Sequence, residues 1–286
     1  MKKIYIKNEN NDYQYFETLK KNRTKRHSSG EFFVEGVRNI NEAFDSKNNW
    51  AITSLIYSDE IKLSDWAENI INKYISKNKK IYIVKKDLLY KLSDKEDKES
   101  PSEIIITVKI KQENIQDLKL SKFSSVLIFD RPSNKGNLGT IIRSCDSFGI
   151  DALILTGHGV DLYDCETIRA SMGSFFKQKV IIEPSFKEIA KWLEKQKSIF
   201  PGLQISGTSA KTSKPSQILN HETFINNFPV IVVIGNETMG MSSNFYELCD
   251  NLIRIPMSES SSASSLNVSC AASVLLYEVY RQKKLY

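Results

Sequence analysis

Apolar positions along this chain fall into short continuous runs, separated by segments in which they recur at helical spacing. Phe32-Phe33-Val34, closed by Glu35-Gly36, reads as a strand; Val37, Ile40, Ala43 and Phe44 then follow at helical intervals to about residue 47. Further strands are expected over 52–57, 80–84 and 103–110. Between them lie a helix capped by Ser64, with Trp66, Ile70, Ile71 and Tyr74 on one face, and a short helix over 87–92. A polar helix is expected around 13–22, and the charged stretch 94–102, ending Ser-Pro-Ser, reads as a loop. Strands alternating with helices predict a small α/β layer. The polar stretch 113–122 reads as a linker. It divides the chain into an N-terminal domain over 1–112 and a C-terminal domain over 123–286.

The second domain repeats the alternation. Residues 126–129 form a continuous apolar run, as a buried parallel strand requires. A helix over about 137–148, a strand over 152–155, a helix over 165–176, a strand over 180–182, a helix over 185–200 and a strand over 203–206 are expected next. The most apolar strand, 230–234, precedes a short helix over 242–249 and a last strand over 252–255. After the serine-rich loop 258–264, a long helix is expected from Ser264 or Ser265 to about residue 284. Leu266, Val268, Cys270, Ala271, Ala272, Val274, Leu275 and Val279 make it apolar or small on almost every side, which predicts a buried helix. The loops after three of the buried strands are rich in Gly, Asn or Ser. Ligands of open parallel sheets bind at such carboxyl ends.

Composition narrows the classes. With 286 residues and 41% hydrophobic content, the chain has enough apolar material for sizeable cores. No apolar run approaches membrane-spanning length, and the first residues lack the features of a signal peptide. Cysteines 145, 165, 249 and 270 form no CxxC pair, which speaks against a structural zinc site and for reduced thiols in a cytoplasmic protein. The net charge is +6, and its excess is N-terminal: 24 Lys+Arg against 19 Asp+Glu in residues 1–122, but 16 against 15 thereafter. Lys20, Lys21, Arg23, Lys25 and Arg26 fall in one short segment. Such a cluster suits a phosphate backbone or forms an ordinary solvated surface.

Three loops carry candidate chemistry. In the first, Leu138, Ile141, Ile142, Cys145 and Phe148 form one helical stripe and Arg143 points away from it. Arg143 therefore does not belong to the core of its own subunit. It is either an ordinary surface arginine or one covered by RNA or a partner subunit. Asn137 is the natural N-cap of that helix. In the second loop, Gly235 and Gly240 permit either close approach of a ligand or a tight turn. In the third, Ser265 is the expected cap of the last helix, and Asn267 is an amide that needs a partner. No GxGxxG or GxxxxGK[ST] string occurs, so dinucleotide and ATP sites lose their main support. The three histidines are scattered and form no catalytic arrangement.

Together these strings resemble the SpoU/TrmH family of RNA 2′-O-ribose methyltransferases, within the SPOUT superfamily. Asn137-x-Gly139-x-x-x-Arg143, Gly235-x-Glu237-x-x-Gly240, and Ile255-Pro256-Met257 with Ser265-Leu266-Asn267-Val268-Ser269 look like its three motifs, in order. Asp161-Leu162-Tyr163 and Arg169-Ala170-Ser171-Met172-Gly173 look like its middle segment, and residues 24–44 like its N-terminal substrate-binding domain. The wording around Asp130-Arg131-Pro132 and 264–272 is similar to the antibiotic-resistance branch that methylates large-subunit rRNA. The loop between Met257 and Ser265 is longer than the family pattern.

The resemblance implies a small α/β substrate-binding domain followed by a parallel-sheet SPOUT domain with a trefoil knot, a homodimer, no metal, and S-adenosylmethionine as cofactor. It implies 23S rRNA as substrate, with tRNA methylation or a non-catalytic RNA-binding relative as alternatives. Carried over by motif, Asn137, Arg143, Glu237, Ser265 and Asn267 take catalytic roles. Thr208, Ser209, Gly235, Asn236, Glu237, Gly240, Ile255, Met257, Ser265 and Leu266 hold the cofactor, and Lys20, Lys21, Arg23, Lys25, Arg26 and Arg143 meet RNA.

Overall fold

The computed structural model describes residues 2–75, 80–93, 102–208, 218–220 and 227–285. The chain forms two compact units, one of residues 1–111 with 161–177, the other of 112–160 with 178–286.

The first unit runs β1 (Lys2–Ile6), α1 (Asn11–Lys21), α2 (Arg23–Ser29), β2 (Glu31–Glu35), α3 (Val37–Phe44), β3 (Ile52–Tyr57), α4 (Asp65–Ile75), β4 (Lys80–Val84), α5 (Lys86–Leu92) and β5 (Ile104–Lys109). Its sheet has the order β1-β4-β3-β5-β2, with β1, β4 and β3 mutually parallel and β5 antiparallel to both its neighbours. Asn10 caps α1 by accepting from the Tyr13 N–H at 3.0 Å, and Tyr13, Phe16 and Leu19 pack with Ile6, Phe33, Ile56 and Tyr82. Strand β1 was not expected from the sequence. It is an edge strand whose buried Ile6 alternates with exposed Lys3, Tyr5 and Lys7, so its apolar signal is short and diluted. Most of the expected 94–102 loop lies outside the described residues.

The second unit begins with β6 (Ser125–Asp130), α6 (Lys135–Ser147) and β7 (Ala152–Thr156). The chain then departs into the first unit, where α7 (Cys165–Ser171) and a 3-10 turn over Ser174–Phe176 pack. A single helix over 165–176 was expected. It breaks because Met172 and Gly173 both take positive φ, 53° and 101°. The chain returns with β8 (Val180–Glu183), α8 (Phe186–Ile199), β9 (Gln204–Thr208), β10 (Ile218–Asn220), β11 (Val230–Ile234), α9 (Ser243–Leu248), β12 (Asn251–Arg254) and α10 (Val268–Lys283).

These strands form a seven-stranded sheet ordered β10-β12-β9-β11-β6-β7-β8. The three-residue β10 was not foreseen; it is too short to carry a pattern. Residues 112–122 are not a free linker. Ile115 and Leu118 are buried in this unit's core, and the Trp192 indole N–H donates to the Leu118 carbonyl at 3.2 Å. The segment 161–177, expected in the C-terminal domain, belongs to the first unit.

Helix α10 starts at Val268 rather than Ser264 or Ser265, and it is not buried all round. Ser269, Ala272, Leu275, Leu276, Val279 and Gln282 are buried, whereas Cys270 and Tyr277 are exposed. The Ser144 and Ser273 hydroxyls, 2.8 Å apart, join it to α6. No helix among the described residues is long and apolar enough to cross a membrane.

Candidate active site

Every pairing in the seven-stranded sheet is parallel, so its strands share one carboxyl edge. The segments that follow β6, β9, β11 and β12 all leave from that edge. They carry the three sequence motifs, and Thr208 ends β9 there.

The capping of two helices differs from expectation, and the difference assembles the site. Asn134, not Asn137, caps α6: its Oδ1 accepts the Asn137 N–H at 2.9 Å. The Asn137 side chain is left for longer-range work. Its Nδ2 donates to Glu237 Oε1 at 3.3 Å, and its Oδ1 accepts from Asn267 Nδ2 at 3.2 Å. Asn267, not Ser265, caps α10, and its Oδ1 accepts the Ser269 N–H at 2.8 Å. The amide that needed a partner has one at each end. One chain of hydrogen bonds, Glu237–Asn137–Asn267, therefore ties the three motif loops together.

Glu237 is the anchor of that chain. Beyond Asn137, it accepts from the Ser133 N–H at 2.9 Å, the Ser133 hydroxyl and the Asn134 N–H at 3.1 Å. Desolvation acts to raise its carboxyl. The hydrogen bonds from the Ser133 hydroxyl, from the Glu237 and Ser133 backbone and from Asn137 outweigh it and hold the group below its ordinary value. A depressed folded value means that the anion stabilises the joined loops above the unfolded value, near 4.5. That contribution is lost as pH falls through the lower folded value. On acidification through that window, the unfolding temperature of the native protein is expected to fall more steeply than that of Glu237→Gln. Parallel pH profiles in thermal melts would remove Glu237 as the anchor.

The glycine ambiguity in the second motif resolves toward a turn. A Cβ on Gly235 would lie 2.1 Å from the Met241 nitrogen and 2.3 Å from the Gly240 carbonyl carbon. The loop folds back on itself there, and Asn236 and Gly240 exchange two backbone hydrogen bonds of 3.0 Å. Within it, Asn236 Oδ1 accepts from Thr238 and Met239 N–H groups at 2.9 and 3.0 Å.

Asp130 entered the sequence analysis only as part of the string Asp130-Arg131-Pro132, with no role of its own. It is buried at 2% exposure and accepts from Thr156 Oγ1 at 2.9 Å, from the Ser242 N–H at 2.8 Å and from Arg131. Its signal is a carboxylate ending an otherwise apolar strand. Asn134, a second amide three residues before Asn137, carried a signal of its own.

The remaining predicted residues are placed as follows. Ile255 and Met257 are half-buried, with Ile255 packed against Ile253 and Leu275. Ser265 is exposed, as are Leu266 at 41% and Met239 at 75%. Ser209 lies outside the described residues. Arg143 is exposed on α6, six residues and so about 9 Å along the axis from Asn137. Its side chain shares no hydrogen bond or ion pair with another described residue.

The basic cluster divides. Arg26 is 1% exposed and is a structural group rather than an RNA contact. Its Nε donates to Asp161 at 2.7 Å, Nη2 to Asp164 at 3.2 Å, and Nη1 to the Leu19 and Lys20 carbonyls at 2.9 and 2.8 Å. Lys20 Nζ donates to the Leu92 carbonyl at 2.7 Å, Lys25 lies over the Tyr15 ring, and Lys21 pairs with Glu17. Lys21 and Arg23 are exposed.

Burial pushes the Cys145 thiol far up and the Cys249 thiol up to about 12, so neither is a ready nucleophile. No group of three or more His, Cys, Asp or Glu among the described residues is arranged to hold a metal.

Comparison with known proteins adds to this geometry. The model of the SpoU rRNA Methylase family matches residues 124–277, and that of the SpoU L30e-like domain matches 10–106. The chain is 34% identical to a 23S rRNA (uridine(2479)-2′-O)-methyltransferase of Streptomyces viridochromogenes, over 97% of this chain and 92% of that one. It is 27% identical to the 23S rRNA (guanosine(2553)-2′-O)-methyltransferase RlmP of Bacillus subtilis, over 91% of each. Among solved structures it is similar to the SpoU methyltransferase AviRb from Streptomyces viridochromogenes in complex with the cofactor AdoMet. That likeness has a TM-score of 0.83 at 32% identity and covers 97% of this chain and all of that one.

Proposed function

The chain belongs to the SpoU rRNA methylase family, and on that premise we propose that it transfers a methyl group from S-adenosylmethionine to a ribose 2′-hydroxyl of 23S rRNA. The observation that carries this reading is the Glu237–Asn137–Asn267 chain, which joins three motif loops at one carboxyl edge. The residues at that edge fit the cofactor. Met239 and Leu266 expose large apolar side chains on otherwise polar loops, as an adenosine-binding surface requires, and Thr208 offers a hydroxyl at the carboxyl end of β9. In this reading Gly235, Asn236, Gly240, Ile255 and Met257 shape the cofactor pocket.

S-adenosylmethionine supplies an electrophilic methyl group, and the protein orients the acceptor. A guanidinium has five donors and no acceptor. Arg143 therefore stabilises negative charge developing on the 2′-oxygen and holds the adjacent phosphate, rather than taking the proton. Asn137, Glu237 and Asn267 fix the loops around the reacting oxygen; Ser265, at the exposed end of the third loop, contacts the ribose.

The reading includes a knotted C-terminal path, supported by the position of the last strand, β12, between β9 and β10. It includes a homodimer, supported by Cys270 and Tyr277 standing exposed on α10. It also includes RNA contacts by Lys21 and Arg23 of the first unit, and action in the cytoplasm, where its substrate is made.

The test is methyl transfer from labelled S-adenosylmethionine to protein-free 23S rRNA and to tRNA, with the modified ribose mapped by its resistance to alkaline cleavage. A single protected ribose in 23S rRNA is expected. Label in tRNA alone, or cofactor binding with no transfer to either RNA, would overturn the proposal.

A further inference from the structure

Arg131 closes β6 with a φ of 54°, a region that ordinarily favours glycine because a Cβ crowds the backbone there. A non-glycine residue persists in such a conformation when its surroundings over-determine it, and such residues cluster at functional sites. The surroundings of Arg131 are specific. Its Nε and Nη2 donate to the two oxygens of buried Asp130 at 3.1 and 3.0 Å, and Nη2 also donates to the Gly240 carbonyl at 3.2 Å. Its own carbonyl accepts from Asn236 Nδ2 at 2.7 Å. Asn236 and Gly240 are the two residues whose backbones pair to close the second-motif turn. Arg131 thus grips both ends of that turn, with its side chain at one and its backbone at the other. Space is reserved for this arrangement: a Cβ on Gly157, at the end of β7, would lie 2.7 Å from Arg131 Cγ.

We propose that Arg131 is a positioning residue that presets the 235–240 turn for the cofactor and so governs cofactor affinity without entering the chemistry. The assignment rests on the methyltransferase reading above. A glycine at 131 would satisfy the backbone and supply none of the side-chain ties, so the arginine is there for the clasp. Without it, the binding-competent turn is populated a smaller fraction of the time. Apparent affinity falls by that fraction, while turnover from the loaded state is unchanged.

Arg131→Lys keeps a cation beside Asp130 but cannot present a planar fork to Asp130 while reaching Gly240. Arg131→Gly suits the backbone and removes the side-chain half of the clasp, leaving the carbonyl that accepts from Asn236. In both variants the KM for S-adenosylmethionine is expected to rise about tenfold, corresponding to a tenfold loss of competent population. At saturating cofactor, kcat and the KM for RNA are expected to stay within about twofold. Combining either with Asn236→Ala should add little, because both changes release the same turn. Hydrogen exchange of the Thr238, Met239 and Gly240 amides in cofactor-free protein should quicken in Arg131→Lys. Unchanged exchange there, or wild-type cofactor affinity in both variants when the wild type does bind it, overturns the assignment. A folded wild type that fails to bind S-adenosylmethionine sinks the methyltransferase reading, and the assignment with it.

Discussion

Arg143→Ala is expected to bind S-adenosylmethionine as tightly as the wild type and to methylate RNA at least about 100-fold more slowly, the cost of removing one donor aimed at developing charge. The argument is one of placement. Arg143 is exposed on α6 and tied to no other described residue, so truncating it removes no packed contact of the fold. Exposed substitutions of that kind change stability by about 0.5 kcal/mol or less. It also lies outside the Glu237–Asn137–Asn267 chain that joins the three motif loops. A loss confined to kcat is therefore diagnostic of a role in the transition state. Arg143→Lys should recover only part of the rate, since an ammonium keeps the charge but not the planar fork. Single-turnover rates alongside calorimetric titration of the cofactor give the answer. Full activity in Arg143→Ala would end the assignment, and a parallel loss of cofactor affinity would move the residue into the cofactor pocket.

Arg26→Ala is expected to destabilise the first unit by about 3–5 kcal/mol, the cost of removing one partner from a buried pair. Among the described residues, the Asp161 carboxylate would keep the Tyr163 N–H at 3.3 Å and His27, whose Nε2 lies 3.1 Å from Oδ1. The Leu19 and Lys20 carbonyls would also lose their donor. By contrast, Lys21→Ala breaks only an exposed pair with Glu17 and should cost well under 1 kcal/mol. Because two units need not unfold together, the clean readout is hydrogen exchange across 19–29 and 161–171. Loss of protection confined to those segments is expected for Arg26→Ala. Wild-type protection with weakened, salt-dependent RNA binding would return Arg26 to the RNA surface.

Arg26 also shows where sequence reading stops. Its neighbours Lys20 to Lys25 made it look like part of a charged surface, but its partner lies 135 positions away. No local pattern reports that separation. The same limit governed the caps. Two amides, Asn134 and Asn137, stand one helical turn apart, and composition cannot say which caps the helix and which reaches across to another loop. The ranges 52–57, 80–84 and 230–234 match β3, β4 and β11 to the residue, because short stretches rich in Ile, Leu, Val and Tyr report burial, most directly in the unbroken run of β11. β1, which opens on two adjacent lysines at a sheet edge, gave only the three-residue run Ile4-Tyr5-Ile6. The motif residues were legible as a set. Their mutual hydrogen bonds, and the buried Asp130 beneath them, follow only from the way β6, β11 and β12 are brought to one edge of the sheet.

The excursion of residues 161–177 into the first unit bears on how the protein is made. The family boundary for the N-terminal domain falls at residue 106, and a ribosome that has released that much chain has not yet synthesised Asp161. Until then Arg26 lacks its carboxylate, and Phe32 lacks the Tyr163 and Phe175 rings that pack against it. The first unit in sequence is therefore not the first to be complete. It waits until β6, α6 and β7 of its neighbour have been synthesised, so biogenesis of the two is interlocked, and neither is a cassette to be excised or swapped at the apparent linker.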